Sequence, residues 1–164
     1  MAIQPQGRIA DRFRLLMRVP VPWVFVLAYL VGAAIEFALP PAISPGVLRG
    51  AGAAGGLLFG VGAVIAGWSL LIFRRARTTT VPGESSSRLV TWGPYRLSRN
   101  PMYVGLALAY LGEAGMLRQL WPVACLPLVV AYLNWVVIPV EERRLAEVFG
   151  VEYERYRAKV RRWI

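Results

Sequence analysis

Histidine is absent from the 164-residue sequence, and cysteine occurs once, at Cys125. The first absence removes the commonest general base near neutral pH. Together the two argue against a disulfide framework and against a His/Cys metal centre, so no metal is expected. Acidic residues are also scarce, 9 against 19 basic ones, for a net charge of +10. That balance would suit a polynucleotide or an anionic membrane surface, and only the placement of the charges separates the two. No small-x-small cleavage site follows the first apolar stretch, so a removed signal peptide is not expected. What is abundant is apolar surface: 57% of the residues are hydrophobic. Several runs reach spanning length, which a soluble domain of this size would not need.

The runs divide the chain into one all-α membrane domain, residues 1–164. Residues 1–18 are basic; Ile9, Phe13, Leu16 and Met17 recur at helical spacing, as in a short helix lying in the interface over Arg8–Met17. Four transmembrane helices are predicted, at 19–39, 47–73, 101–117 and 120–140, each near the length needed to cross a bilayer. Trp23 and Trp121 suit interface anchors. Glu36 and Glu113 lie near span ends and read best as interfacial. Gly52, Gly56 and Gly60 stand four apart, and Ala63 and Gly67 extend a nearby small face; such a stripe admits a close helix neighbour. Pro127 is expected to bend the fourth span. Asn134 is open to two readings, an interhelix hydrogen bond or a pocket residue. Residues 74–100 form a loop, and 141–164 an amphipathic helical tail with a break at Gly150. That tail would pack on the loop or lie on the membrane, with Arg157, Lys159, Arg161 and Arg162 attracted to anionic lipid.

The chain turns on Gly93–Gly105, GPYRLSRNPMYVG. A Gly-Pro turn leads into Tyr95, Arg96 and Arg99. Asn100 and Pro101 then read as an N-cap and a first helical position. A cationic segment thus delivers an open helix N-terminus, where free N–H groups can hold an anion. Two readings stand: a basic loop before a well-capped helix, or a site for a ligand carrying a carboxylate or phosphate.

Charge placement gives the orientation. With both termini and the central loop in the cytoplasm, only Arg49 and Arg118 among the basic residues lie outside, as the positive-inside rule expects. The isoelectric point then needs no nucleic-acid partner. Arg96, Arg99, Asn100, Glu141 and Glu142 fall on one face, beside the ends of two adjacent spans.

The run Leu89–Gly105 (LVTWGPYRLSRNPMYVG), with Glu141, Glu142 and the following FGVEYERY, resembles the isoprenylcysteine carboxyl methyltransferase and phospholipid N-methyltransferase superfamily. The likeness covers about the last half of the chain. It implies an integral membrane enzyme that uses S-adenosylmethionine, lies in the bacterial inner (cytoplasmic) membrane with its site facing the cytoplasm, and acts on a lipophilic small-molecule or lipid acceptor. Family motifs place cofactor contacts at Tyr95, Arg99, Asn100, Pro101, Tyr103, Gly105 and Glu142. Arg99, Glu141, Glu142 and Tyr103 become the candidate catalytic group. On that footing Arg99 and the helix start suit the cofactor's carboxylate, Glu142 its ammonium or a ribose hydroxyl, and Tyr95, Tyr103 and Trp92 stacking. Asn100 stands where the prenylcysteine branch has histidine, which weighs against a prenylated protein as substrate. The alternatives are a phospholipid-type N-methyltransferase, whose acceptor would have to lose a proton, and a non-enzymatic scaffold or transport subunit.

Overall fold

The computed structural model describes residues 20–41, 45–75 and 89–164, with side chains in the second stretch from residue 50 onward. The expectations for Arg8–Met17, for Arg49, for the rest of the turn after Pro41 and for residues 76–88 lie outside the described residues. Everything described is helix or short connection: α1 (Val21–Ala38), α2 (Pro45–Arg75), a 3-10 turn (Gly93–Arg96), α3 (Pro101–Leu117), α4 (Trp121–Tyr132), a π turn (Leu133–Val137), α5 (Ile138–Phe149) and α6 (Val151–Lys159). The all-α expectation holds. Among the described residues, three helical stretches are long and apolar enough to cross a membrane: Val21–Ala38, Gly50–Arg75 and Trp121–Phe149. The last runs through α4, the π turn and α5.

Proline sets the helix starts. Each of α1 to α5 has one in its first two positions, where the missing N–H would have found no intrahelical partner. Pro139 is different, because the helix already runs through it. An interior proline clashes with the carbonyl four residues back. The π turn just before it widens the ladder: the Ile138 N–H donates to the Leu133 carbonyl, five residues back.

Two antiparallel pairs make the bundle, α2 with α3 and α1 with α4. The first pair touches backbone to backbone. A Cβ on Gly55 would lie 2.6 Å from the Met116 nitrogen, and one on Gly105 would lie 2.5 Å from the Ala66 nitrogen. Gly62 and Gly112 are equally closed, against Ala109 and Phe59. This corrects the stripe read from the sequence: Gly52, Gly56, Gly60 and Gly67 have open space where a Cβ would go. The sequence held two glycine sets on different faces of one helix, and only the partner glycines at 105 and 112 show which set is used.

In the second pair Gly32 meets the backbone of Pro122. Glu36 serves the helix end: its Oε2 accepts from the Leu120 and Trp121 N–H groups at 3.0 and 2.9 Å, at the start of α4. The α3–α4 connection is tight, with Arg118 left-handed (φ 57°) and the Gln119 N–H donating to the Ala114 carbonyl. Between the pairs lies a core of Val21, Phe25, Tyr110, Leu126, Val129, Leu133 and Ile138.

Alanine should tell the two glycine faces apart. Gly62→Ala and Gly112→Ala are expected to cost about 1–3 kcal/mol by overpacking, seen as a lower melting temperature in detergent. Gly56→Ala and Gly60→Ala should be neutral or stabilise by up to ~1 kcal/mol through helix propensity. Equal effects on both faces would place the helix contact elsewhere.

A second expectation concerns crossings. The segment before α3 and the tail after α5 are hydrogen-bonded to each other, Arg99 N–H to the Arg161 carbonyl at 2.9 Å. They therefore share one side of the bilayer. If α4 crosses, the 17-residue α3 must cross back. Single cysteines at Arg96, Arg118 and Lys159, in a Cys125→Ala background, should label on one side for 96 and 159 and on the other for 118. Labelling of 96 and 118 from the same side would remove the fourth crossing.

Candidate active site at the end of the bundle

The site is built on the segment Leu89–Asn100, seated against the end of α2. Gly93 takes a positive φ of 64° to open the 3-10 turn, and a Cβ there would lie 2.6 Å from the Cδ1 of Ile72. The turn drives Tyr95 into a small core with Ile72 and Val90, edge-on to Phe73 at 5.3 Å between ring centroids. Ser98 is buried. Its hydroxyl accepts from the Asn100 N–H at 3.0 Å and donates to the Arg162 carbonyl at 3.2 Å.

Asn100 is the residue before α3, yet its side chain makes no cap hydrogen bond. Its Nδ2 donates to the Arg162 carbonyl at 2.9 Å. Its own carbonyl accepts from both Tyr103 and Val104 N–H groups at 3.1 Å. With proline at the first position, only the Met102 amide of that turn lacks an acceptor among the described residues. The helix start is thus less open than the sequence suggested, because the Asn100 carbonyl takes two of its N–H groups, although the tail has drawn away the side chain that would have capped it.

The centre of the site is Glu142. Its Oε1 lies 3.1 Å from Arg99 NH1, and Arg162 forks onto it, NH2 to Oε2 at 2.7 Å and Nε to Oε1 at 3.2 Å. Arg99 and Glu142 are 12% and 13% exposed, whereas Arg162 is 32% exposed. Two guanidiniums on one carboxylate leave a surplus of one positive charge. Arg99 NH1 also reaches the Tyr153 hydroxyl at 3.5 Å, and its buried Nε has no partner among the described residues. Beside this cluster the Tyr103 hydroxyl donates to Glu141 Oε1 at 2.6 Å.

The tail closes the site. Gly150, at φ 49° and ψ −123°, breaks the helix where expected and turns α6 back over the loop. Tyr153 is buried, and the Tyr156 hydroxyl donates to the Tyr95 carbonyl at 2.7 Å. Burial pushes the hydroxyls of Tyr95, Tyr153 and Tyr156 above their ordinary pKa, so all three remain neutral. Beyond α6, residues 160–164 form an extended strap. Arg162 NH1 and the Trp163 indole N–H both donate to Asn134 Oδ1, at 3.2 and 3.1 Å. Of the two readings of the tail, packing on the loop is the one seen.

From this end an apolar groove of about 650 Å³ runs between α3 and α4, open to the outside of the bundle. Leu111, Leu126, Val130 and Trp135 line it, and Asn134 and Trp163 stand where it meets the ionic cluster.

The structure brings Arg99, Asn100, Pro101, Tyr103, Glu141 and Glu142 together. It sets Tyr95 behind them, buried against α2, and turns Gly105 to the α2–α3 contact. Arg96 and Trp92 are exposed. Sequence reasoning missed Ser98, Arg162 and Trp163 as site residues. The available signal was the apolar Trp163-Ile164 pair after Arg161-Arg162, which does not suit a purely electrostatic tail.

A profile described as phospholipid methyltransferase matches residues 51–152, more than half of the chain and all of the cluster except Arg162 and the strap. The chain belongs to the phospholipid methyltransferase family. It is 40% identical over 77 residues to the cobalt-zinc-cadmium resistance protein CzcN of Cupriavidus metallidurans, covering 46% of this chain and 36% of that protein. It is 38% identical over 77 residues to probable protein-S-isoprenylcysteine O-methyltransferases of Oryza sativa, subspecies indica and japonica, covering 47% of this chain and 40% of each. The chain thus spans well under half the length of these relatives. No solved structure matches it.

The ionic cluster should behave as a unit. Glu142→Gln leaves the largely buried Arg99 guanidinium and the partly exposed Arg162 unopposed and is expected to cost about 3–5 kcal/mol. Arg162→Gln, which leaves the Arg99 pair intact, should cost less, and the double change should cost less than the sum. Glu113→Gln, at an exposed position, should change nothing. Thermal unfolding in detergent measures all four, and strict additivity would mean that Glu142 and Arg162 do not interact.

Proposed function

We propose that this chain is an integral membrane methyltransferase that uses S-adenosylmethionine and methylates a lipophilic acceptor. The observation that carries the reading is the cationic Arg99–Glu142–Arg162 cluster at the end of an apolar groove between α3 and α4. The groove's volume falls in the range of small-molecule sites. Family membership supports the reaction class.

The residues fit the amino-acid end of the donor. Arg99 has a buried Nε without a partner, and the cluster has one positive charge unspent, which suits a carboxylate. Glu142 suits an ammonium. The donor, when bound, supplies an electrophilic methyl on a sulfonium. The chain's own task is to align that methyl with the acceptor's nucleophile and to exclude water. Asn134 and Trp163 stand where an acceptor chain in the groove would present its polar head. The donor's net charge of +1 favours an anionic head, so a lipophilic carboxylate of the isoprenylcysteine kind is the leading acceptor. A carboxylate attacks without losing a proton. For a phospholipid amine, Glu141 with Tyr103 is the group on hand to take one. The basic residues gathered at this end support a cytoplasmic placement.

Calorimetry in detergent with added lipid should show saturable binding of S-adenosylmethionine. Arg99→Lys keeps the charge but loses the planar fork. It should weaken binding by roughly 1.5–3 kcal/mol, the scale of hydrogen bonds to charged groups, while the exposed Arg96→Lys should not. Labelled donor with total lipid, set against prenylcysteine analogues, then separates the acceptors. No saturable binding in any detergent would remove the enzyme reading.

A further inference from the structure

The strap is joined to both halves of the site through two side chains. Glu142 is gripped bidentately by Arg162. Asn134, on the groove, holds Arg162 and Trp163 with the same Oδ1. Resting on the donor reading above, we propose that Arg162 and the donor's α-ammonium compete for Glu142, so that donor binding unlatches the strap and opens the groove at Trp163.

Three features point to Arg162 as the cation that yields. It is more exposed than Arg99, 32% against 12%. Arg99 is held from its own side by the residues that follow it, which enter the first turn of α3. The strap, by contrast, follows a nine-residue helix that turns on Gly150, whose backbone is left-handed and whose surroundings are open. The exchange also conserves charge. Glu142 keeps two cationic partners throughout, so the largely buried carboxylate is never left under-compensated.

The consequence lies in the groove. Once Arg162 leaves Asn134, the Trp163 indole keeps a single hydrogen bond there, and the strap's remaining ties are the Ser98 and Asn100 donors to the Arg162 carbonyl and the Arg99 N–H to Arg161. Trp163 lines the apolar groove and adjoins Arg162, which holds Glu142. Freeing it gives an acceptor's head a way to the donor, past the Asn134 side-chain amide, whose N–H can donate to a carboxylate. Donor and acceptor sites are thereby coupled, and by linkage an acceptor in the opened groove would tighten donor binding by the same factor.

Hydrogen exchange on the full chain in detergent tests this, with S-adenosylhomocysteine as the probe and methylthioadenosine, which lacks the amino-acid end, as its control. S-adenosylhomocysteine should speed exchange of the groups that the strap protects, the Trp163 indole N–H and the Arg99 amide, and methylthioadenosine should not. Arg162→Gln should show fast strap exchange without any ligand and bind S-adenosylhomocysteine more tightly, by roughly 10-fold, the scale of one charged contact. Saturable binding of S-adenosylhomocysteine with the strap slowed or unchanged would overturn the competition while leaving the donor reading intact. So would weaker binding by folded Arg162→Gln. No binding of S-adenosylhomocysteine to the wild-type chain would instead remove the donor reading on which the competition rests.

Discussion

A carboxylate that is 13% exposed at the end of an apolar bundle must be neutralised, and the fold is arranged around how Glu142 is. A largely buried ion without a partner costs several kcal/mol. Glu142 takes its partners from two places distant in sequence: Arg99, two residues before α3, and Arg162 in the strap after α6. Each of these is held by other bonds as well, Arg99 through its backbone and Arg162 through Asn134. The cluster therefore organises the site, and its surplus positive charge gives the site its chemical character.

That arrangement needs a rigid mount. The backbone-to-backbone contact of α2 and α3 supplies it, because glycines let the two helices approach without intervening side chains. Through this contact the start of α3 is fixed beside the end of α2. The same end of α2 seats Tyr95 and the 3-10 turn. Arg99 thus enters the site from a segment anchored on one helix and continued into another.

Much of this was legible in the residues. The apolar runs, the tight connection at Arg118, the break at Gly150 and the convergence of Arg99, Tyr103, Glu141 and Glu142 follow from local chemistry and hairpin logic. Three things did not. The working glycine face could not be chosen from α2 alone, since both faces carry glycine and the choice belongs to the partner helix. Asn100 read as a cap because its type and neighbour fit one, but the Arg162 carbonyl offers its amide a competing acceptor. Arg162 itself sat in a run of like charges, and nothing local distinguishes the arginine that turns inward from Arg161, which remains exposed.

The π turn before Pro139 has a consequence for phase. Along α4 and the π turn the buried positions include Leu126, Val129, Leu133 and Val137, a regular inward stripe. Carried on without interruption, that stripe would pass through Arg144 and Val148, and both are exposed. The wide turn admits one additional residue, which rotates everything after it by about 100°. The stripe resumes one position later, at Ile138, Glu141, Glu142, Leu145 and Phe149, all buried or half-buried. A single surplus residue in the winding of one helix thus decides that two acids, and not an arginine, look inward at the level of Arg99.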